Sequence, residues 1–366
     1  MHVVYDYQAF SLQTHGGVSR YFSEIAPRIG AMPNCTTTIL AGAHRNDYLA
    51  SAGPRCIGFR VPHIRGLRLA QAVFNTAMTT QWLRRHHPDV VHETYYKAKG
   101  FGRSGHRATV VTVHDMIHEK FPEQFPAYDT TARRKAAAVR RADAVICVSA
   151  NTKKDLLERL PLDPAKVHVV HHGCVVKEII GEAGEATASR PFLLYVGPRA
   201  GYKNWRRLIA AIGLSPVLRS TFDLVCFGGR SFARDEVELI RQVAVAGTAT
   251  SITHVTGDDA TLERLYSHAS AFIYPSIYEG FGLPPLEAMA RGCPVVCSNT
   301  SSLPEVFAGA AEMFDPLDAS AVAAAIESVV LSSERTGQLR ELGLTRARSL
   351  SWTTSAVKTL AVYKLL

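Results

Sequence analysis

Short apolar segments alternate with helical patterns along most of this 366-residue chain. In the first half, segments rich in branched residues predict strands at residues 2–5, 36–40, 89–92, 108–114, 144–149 and 167–171. Residues 69–83 carry small and apolar side chains at i, i+3, i+4 and i+7, which predicts a helix with one apolar stripe. Because strands and helices alternate, we expect a parallel sheet with helices on both faces.

The pattern restarts after a small, polar segment at residues 181–189, which predicts a linker. Beyond it, strands are predicted at 192–197, 222–228, 252–255, 271–275 and 294–298, and helices at 204–212, 235–245, 260–269 and 286–291. A closing segment, 351–363, has the pattern of an amphipathic helix. We therefore predict two Rossmann-like α/β domains, residues 1–180 and 190–350, with ligands at the carboxyl ends of the strands, in a cleft between the domains.

Positive charge is concentrated in the first half. Residues 1–180 hold 24 Lys and Arg against 14 Asp and Glu, whereas the rest is nearly neutral. This asymmetry predicts an anionic partner for the first domain: nucleic acid, phospholipid headgroups or a phosphate-bearing acceptor. The basic residues are scattered without interleaved aromatic side chains, which disfavours a nucleic-acid-binding protein.

The predicted helix at 69–83 is flanked by a basic cluster, consisting of Arg60, His63, Arg65, Arg68, Arg84, Arg85 and His86. Such a cluster attracts anionic headgroups by about 1 kcal/mol per charge, although an ordinary packed helix is the alternative. The chain has no uninterrupted apolar run of membrane-spanning length, and its first residues read as a strand rather than a signal peptide. We therefore expect a cytoplasmic protein with peripheral contact to the cytoplasmic membrane face.

The stretch from Ser276 to Arg291 carries the strongest functional pattern. Glu279 and Glu287 lie eight residues apart, around a Gly-Phe-Gly turn and a Pro-Pro step. A strand precedes the stretch and a helix is predicted at its end, with Glu287 in the first helical turn. Glycines let backbone N–H groups approach a ligand, and a helix N-terminus suits a phosphate. Either glutamate alone is more simply a capping or dipole-compensating acid, but the combination indicates a binding site.

Three loops in the first half also follow predicted strands. Gly16 and Gly17 open a helix and allow contact with a phosphate, or form a plain turn. His114 and Asp115 end an apolar strand, and His172 ends the last strand of the domain. Each histidine is either structural or functional on this pattern alone.

Two loops in the second half carry comparable chemistry. Arg199 and Lys203 share a glycine-rich loop, and two cationic donors suit a diphosphate. Backbone groups around Val255 are expected to contact the edge of a nucleobase, while Asp258 or Asp259 is expected to cap the next helix.

The sequence gives no sign of a bound metal. Cys293 and Cys297 lack a nearby His pair, and no Asp-x-Asp occurs. No Walker A sequence occurs, and the Gly-x-Gly-x-x-Gly at residues 100–105 precedes a strand instead of a helix.

The segment Tyr-Glu279-Gly-Phe-Gly-Leu-Pro-Pro-Leu-Glu287-Ala-Met-Ala resembles the hallmark of the retaining GT4 glycosyltransferases. Weaker matches are the Gly16-Gly17 loop, Val-His114-Asp115, Arg199 with Lys203-Asn204, Thr256-Gly257 and residues 298–305. The resemblance implies a GT-B fold whose C-terminal helix crosses back, so that residues 351–366 join an acceptor-binding first domain. The second domain, residues 190–350, would bind a nucleotide sugar.

The same resemblance implies roles for individual residues. Arg199 and Lys203 would neutralise the departing diphosphate, which Gly17 would also contact. Backbone N–H groups of Phe281, Gly282 and Leu283 would contact sugar or phosphate. Glu287 would bind the ribose, and Glu279 would lie at the donor hexose. His114 would lie near the reacting centre, with Asp115 and His172 on the acceptor side.

The implied activity is transfer of a hexose with retention of the anomeric configuration and without a required metal. We expect mannose from GDP-mannose, with another nucleotide sugar as the alternative, and a polysaccharide, O-antigen or lipid-linked glycan as acceptor. A GT-B epimerase or phosphorylase would share the fold, and a non-enzymatic nucleic-acid-binding protein is the remote alternative. An epimerase would turn over the donor without an acceptor.

Overall fold

The computed structural model describes residues 1–51, 55–62, 66–102, 105–176, 190–199, 201–244 and 250–366. Its strands are β1 (His2–Tyr5), β2 (Thr36–His44), β3 (Cys56–Arg60), β4 (Val90–Glu93), β5 (Ala108–Val113), β6 (Ala144–Cys147), β7 (Val167–Val169), β8 (Phe192–Val196), β9 (Asp223–Phe227), β10 (Ile252–Val255), β11 (Ala271–Tyr274), β12 (Val295–Ser298) and β13 (Glu312–Phe314). Its helices are α1 (Gln8–Leu12), α2 (Gly17–Gly30), α3 (Arg68–His86), α4 (Ile117–Lys120), α5 (Thr131–Arg141), α6 (Ala150–Arg159), α7 (Trp205–Leu214), α8 (Pro216–Thr221), α9 (Arg234–Ala244), α10 (Asp259–His268), α11 (Leu283–Ala290), α12 (Leu303–Phe307), α13 (Ala319–Val330), α14 (Ser333–Ser349) and α15 (Trp352–Tyr363).

The chain folds into two compact units. The first unit comprises Met1–His172 and Trp352–Leu366, and the second comprises Gly173–Ser351. Each contains a parallel sheet with helices, which confirms the predicted fold class. The predicted linker at 181–189 lies outside the described residues, as do His63 and Arg65 of the basic cluster.

The first sheet has the order β3-β2-β1-β4-β5-β6-β7, and all its pairs are parallel. Strand β1 lies in its interior, with Val3 paired to Thr37 on one side and to Val90 on the other. Val3 and Val4 are completely buried. A strand that is covered on both faces requires a continuous apolar run, which is why the sequence predicted this strand with its observed bounds.

On the side of β2, the sheet is larger than the sequence predicted. Strand β2 continues to His44, and β3 was not predicted. Strand β3 is an edge strand with an exposed face, on which Ile57 and Phe59 are 41% and 53% exposed. Its Gly58 lies so close to Gly42 that an added Cβ would stand 2.5 Å from the Gly42 carbonyl oxygen. Strand β3 was not predicted because two of its five residues are a glycine and an arginine, which weaken the strand pattern.

Helix α3 leaves part of its predicted apolar stripe exposed. Leu69 and Val73 are 76% and 62% exposed, while the buried residues are Asn75, Thr79 and Leu83. The Asn75 side chain fixes this orientation, because its Oδ1 accepts from the Ala43 N–H (2.8 Å) and its Nδ2 donates to the Ala43 carbonyl (2.9 Å). Helix α3 therefore packs against β2, as the packed-helix alternative holds, while Leu69 and Val73 stay exposed.

The C-terminal helix α15 packs on α2 within the first unit, as predicted. Its Tyr363 hydroxyl lies 3.2 Å from the Tyr5 hydroxyl and 2.5 Å from His92 Nδ1. Burial lowers the pKa of His92 to about 3, so that this histidine is neutral at physiological pH.

The second sheet has the order β10-β9-β8-β11-β12-β13, again with parallel pairs. Strand β8 is central, and helices α7 and α13 cover one face. Trp205, at the start of α7, is completely buried in this core, where its Nε1 lies 3.3 Å from Cys226 Sγ. The carboxyl ends of β8 and β11 consequently lie side by side, which brings the loops of the candidate site together.

Candidate functional site

Loops after β8, β11 and β12 are tied to one another at the carboxyl end of the second sheet. The Ile277 N–H donates to the Tyr202 carbonyl (2.8 Å), and the Thr300 hydroxyl donates to the Ile277 carbonyl (2.8 Å). Asn204 Nδ2 donates to the carbonyls of Pro275 (3.1 Å) and Pro316 (2.7 Å). These bonds hold the loop containing Lys203 against the loop containing Glu279.

Two serines fix the backbone of Glu279. The Glu279 N–H donates to Ser301 Oγ (3.0 Å), and Ser302 Oγ donates to the Glu279 carbonyl (2.9 Å). Ser301 has a φ of 54°, in the left-handed region, so the turn is held in a conformation that few residues adopt. Neither serine was predicted to have a role, and the one signal for them was their place in segment 298–305, which resembles the GT4 family.

The structure brings Lys203 and Glu279 into direct contact. Lys203 Nζ donates to Glu279 Oε1 (2.7 Å) and to the Tyr274 hydroxyl (3.1 Å). The side chains of Lys203 and Glu279 are only 13% and 10% exposed. Burial and the Glu279 carboxylate raise the pKa of Tyr274 well above its ordinary value, so its hydroxyl stays neutral. An ammonium has three N–H donors, so this arrangement leaves a third for another acceptor.

Arg199 occupies a separate position near the end of β9. Its Nε donates to Glu236 Oε1 (3.2 Å), its Nη2 contacts the Arg230 carbonyl, and its guanidinium lies 4.6 Å from the centre of the Phe232 ring. The side chain is 2% exposed. Its buried Nη1 has no hydrogen-bond partner among the described residues. Arg199 therefore already neutralises Glu236, and its predicted contact with a diphosphate depends on that single donor.

Helix α11 begins at Leu283, three residues earlier than predicted. Gly282 caps it with a φ of 98°, and an added Cβ would meet Phe307 Cε2 at 2.9 Å and Leu303 Cδ2 at 3.0 Å. Phe281 is buried beside it. Because the helix starts earlier, Glu287 lies in its second turn, and the prediction of a first-turn position is wrong. Glu287 is half-buried.

The loop after β10 matches its predicted geometry in part. Val255 ends β10 and is half-buried. Asp258 Oδ1 accepts from the Thr261 N–H (2.9 Å), which confirms the predicted cap of α10. Hydrogen bonds from the Thr261 hydroxyl (2.7 Å) and then from its N–H hold the pKa of Asp258 below its ordinary value.

In the first unit, Gly17 is exposed at the start of α2, and His114 lies beside His172 with ring centres 5.7 Å apart. Burial lowers the pKa of His114 to about 4, and the pKa of His172 also lies well below its ordinary value because of burial. His114 Nε2 has no hydrogen-bond partner among the described residues. Asp115 Oδ1 accepts from the Ile117 N–H (3.0 Å), and its carbonyl accepts from the buried Lys135 Nζ (2.7 Å).

A cavity of about 520 Å³, which we call the polar cavity, lies near these residues in the first unit. Tyr95 and Tyr96 line it with ring centres 4.5 Å apart, and the Tyr96 hydroxyl accepts from the His114 N–H (3.3 Å). Arg45 and Arg134 also line it. The sequence did not predict this cavity, because its lining comes from loops after four different strands and from helix α3.

Within the described ranges, no group of three or more His, Cys, Asp or Glu side chains is arranged to hold a metal ion. Nor does any helix among the described residues have the length and apolar character needed to cross a membrane.

Known glycosyltransferase families match this chain over both of its units. The family model "Glycosyltransferase Family 4" matches residues 15–178, and "Glycosyl transferases group 1" matches residues 176–344. The chain is 32% identical to the O-antigen chain mannosyltransferase B of Escherichia coli over 273 residues, 70% of each chain. It is 26% identical to the alpha-maltose-1-phosphate synthase of Mycolicibacterium smegmatis over 388 residues, 96% of each chain. The solved structure of HepE from Anabaena, in complex with UDP and glucose, is similar over both entire chains, with a TM-score of 0.77 and 17% identity.

Proposed function

This chain belongs to glycosyltransferase family 4, and we propose that it moves mannose from GDP-mannose onto a bacterial cell-surface glycan with retention of configuration. The observation that carries the proposal is the Lys203–Glu279 pair beside the N-terminus of α11. It combines a cation and a carboxylate with a helix N-terminus, whose dipole favours an anion. Pro284 and Pro285 have no N–H, so the proposed backbone donors are those of residues 281–283.

Mannose and GDP are the finer part of this proposal. Their support is the similarity to the O-antigen chain mannosyltransferase B of Escherichia coli. HepE, which has a similar fold, was solved with UDP and glucose, so a UDP-sugar is the alternative donor. In either case the base would lie against the backbone at Val255.

Departure of the nucleoside diphosphate leaves negative charge on a phosphate oxygen, and the Lys203 ammonium is proposed to neutralise it. Glu279 and Tyr274 take two of the three Lys203 donors, which orients the third without removing the positive charge. Arg199 Nη1, Gly17 and the N–H groups of residues 281–283 would make further contacts with phosphate or sugar.

Each glutamate has a distinct proposed role. Glu279, whose backbone is held by two serines, would contact a hydroxyl of the transferred sugar. Glu287, in the second turn of α11, would accept hydrogen bonds from the ribose hydroxyls. Neither needs to attack the sugar: the acceptor oxygen bonds to the anomeric carbon as the bond to phosphate breaks. The departing phosphate oxygen then takes the acceptor proton.

The acceptor is proposed to be a polysaccharide, an O-antigen or a lipid-linked glycan, bound by the first unit. His114 is neutral at physiological pH, because burial lowers its pKa to about 4. It would therefore contact the reacting sugar by hydrogen bonding rather than by charge, with Asp115 and His172 on the acceptor side. A cytoplasmic location is part of this proposal.

A donor panel tests the proposal. GDP-mannose, UDP-glucose and UDP-galactose are incubated with the full chain, with and without an extract of lipid-linked glycans, and nucleoside diphosphate release is measured. We expect acceptor-dependent release from GDP-mannose. Glu287→Ala should reduce kcat/KM for the donor at least tenfold, whereas the control Glu334→Ala, an exposed acid on α14, should not. Diphosphate release without acceptor would instead indicate a hydrolase, and conversion to another nucleotide sugar without release, checked by chromatography, would indicate an epimerase.

A further inference from the structure

A second cavity in the first unit lies between strand β3 and the N-terminal half of helix α3. It measures about 330 Å³, and its lining is almost entirely apolar: Ala43, Phe59, Val61, Leu67, Ala70 and Phe74. Phe59 and Phe74 form its walls, with ring centres 5.9 Å apart, and remain 53% and 47% exposed. We call this cavity the apolar groove. Exposed aromatic surface of this kind is unfavourable in water and marks a binding surface.

The apolar groove adjoins the polar cavity. Arg45, Arg68 and Gln71 line both of them, so the two cavities meet at these three side chains. The polar cavity is lined by Tyr95, which is partly exposed, and by Tyr96, which is 5% exposed. Tyrosine combines an aromatic ring with a hydroxyl, a chemistry that suits a sugar. The two neighbouring cavities therefore differ in chemistry, because polar side chains are common in the first and rare in the second.

Cationic groups lie where the two cavities meet. Arg45 is held by a hydrogen bond from its Nη2 to the Ser11 carbonyl (3.3 Å), while its buried Nε has no partner among the described residues. Arg68, the first residue of α3, is exposed and makes no ion pair with any described residue. Guanidinium groups bind phosphate oxygens through directed N–H donors, so this junction suits a phosphate.

We propose that the polar cavity and the apolar groove together bind a glycan acceptor that is linked through phosphate to an aliphatic chain. Its saccharide would lie against Tyr95 and Tyr96, its phosphate at Arg45 and Arg68, and the first part of its chain between Phe59 and Phe74. This inference rests on the proposed function and selects, among the acceptors named there, the lipid-linked one.

The shape of the apolar groove favours one aliphatic chain over a membrane surface. Leu69 and Val73 are more exposed than Phe74, yet neither lines the groove. A flat bilayer surface would engage all three residues. A chain inside the groove would depend on Phe74 and not on Val73, so these neighbouring positions form a matched pair for an experiment.

The test measures binding of dodecyl phosphate, below its aggregation concentration, to the full chain by titration calorimetry. We expect saturable one-to-one binding, at least tenfold tighter than inorganic phosphate or dodecyltrimethylammonium. Phe74→Ser and Arg68→Gln should each weaken it at least tenfold, while Val73→Ser should change it less than twofold. Thermal melting checks that each variant is folded, and Phe59→Ser replaces Phe74→Ser if that variant is not.

Three results would overturn the inference: no saturable binding, equal effects of Phe74→Ser and Val73→Ser, or binding that appears only with anionic vesicles. The last two would indicate a membrane surface instead of an acceptor chain. The outcome is separable from that of the donor panel. Sugar transfer to a water-soluble acceptor without dodecyl phosphate binding rejects only the inference, whereas binding without any donor turnover rejects only the proposed function.

Discussion

Replacing Gly282 by alanine should disturb the candidate donor site through two effects of known size. The residue has a φ of 98°, and holding an L residue in a left-handed conformation costs about 1–2 kcal/mol. Its new methyl group would also stand 2.9 Å from Phe307 Cε2 and 3.0 Å from Leu303 Cδ2, and both side chains are completely buried. Overpacking of this kind costs about 1–3 kcal/mol. We therefore expect Gly282→Ala to destabilise the second unit by about 2–5 kcal/mol.

Gly309 supplies the control, because it isolates the first effect. Its φ is 82°, and an added Cβ there meets nothing within 4 Å. Gly309→Ala should lose only about 1–2 kcal/mol, from the backbone conformation alone. Urea unfolding followed by tryptophan fluorescence, with Trp205 reporting the second core, measures both variants against the wild type.

The second readout is donor affinity, measured under conditions in which both variants are folded. Only Gly282 caps α11, so only Gly282→Ala should displace its N–H groups and weaken nucleotide-sugar binding, by at least tenfold. If the two variants are equally stable and bind the donor equally well, then the contacts of Gly282 with Phe307 and Leu303 do not shape the site, and the reasoning fails.

Three further predictions concern single contacts. Lys203→Met leaves the Glu279 carboxylate buried without its cation, so it should cost about 3 kcal/mol in urea unfolding and reduce donor kcat/KM at least a hundredfold; an unchanged kcat/KM would exclude Lys203 from the donor site. Ser301→Ala removes the acceptor of the Glu279 N–H, so the donor KM should rise about fivefold, equivalent to about 1 kcal/mol, with little change in kcat. His92 has a pKa of about 3 in the folded chain against 6.5 when exposed, so the unfolded state binds the extra proton and stability falls as the pH drops below about 6.5. At pH 5, His92 should lower the free energy of unfolding by about 2 kcal/mol, and His92→Gln should remove this loss in parallel urea titrations. An equal pH dependence of stability in the wild type and the variant would contradict this prediction.

The sequence predicted the sheets because buried parallel strands leave a strong local signal. Segments such as Val3–Val4 are apolar on both faces, so position and type follow from composition. The exposed edge strand β3 lacks that signal and was missed. Helix α3 was predicted correctly as a helix, but its buried face was not. Two hydrogen bonds between the Asn75 side chain and the Ala43 backbone turn part of the apolar stripe toward solvent. Such polar contacts between distant residues leave no periodic pattern.

The sequence predicted roles for Glu279, Lys203 and Arg199 one by one, but not their ion pairs. No pattern indicated that Lys203 contacts Glu279 or that Arg199 pairs with Glu236. Ser301 was overlooked because a hydroxyl that fixes a backbone N–H twenty-two residues away has no spacing signature. The polar cavity was missed for the same reason, since its lining is assembled by the sheet topology.

The stereochemistry of the product tests the central claim most directly. In the proposed mechanism, the acceptor oxygen replaces the phosphate on the same face of the sugar. Lys203 neutralises the leaving group, and Glu279 does not act as a base for water. Purified protein is incubated with GDP-α-mannose and the acceptor, and the one-bond C1–H1 coupling of the new linkage is measured by NMR. We predict an α-mannosidic product, formed at a rate that collapses in Lys203→Met. A β-linked product, or an α-linked product formed equally well by Lys203→Met, would contradict the account.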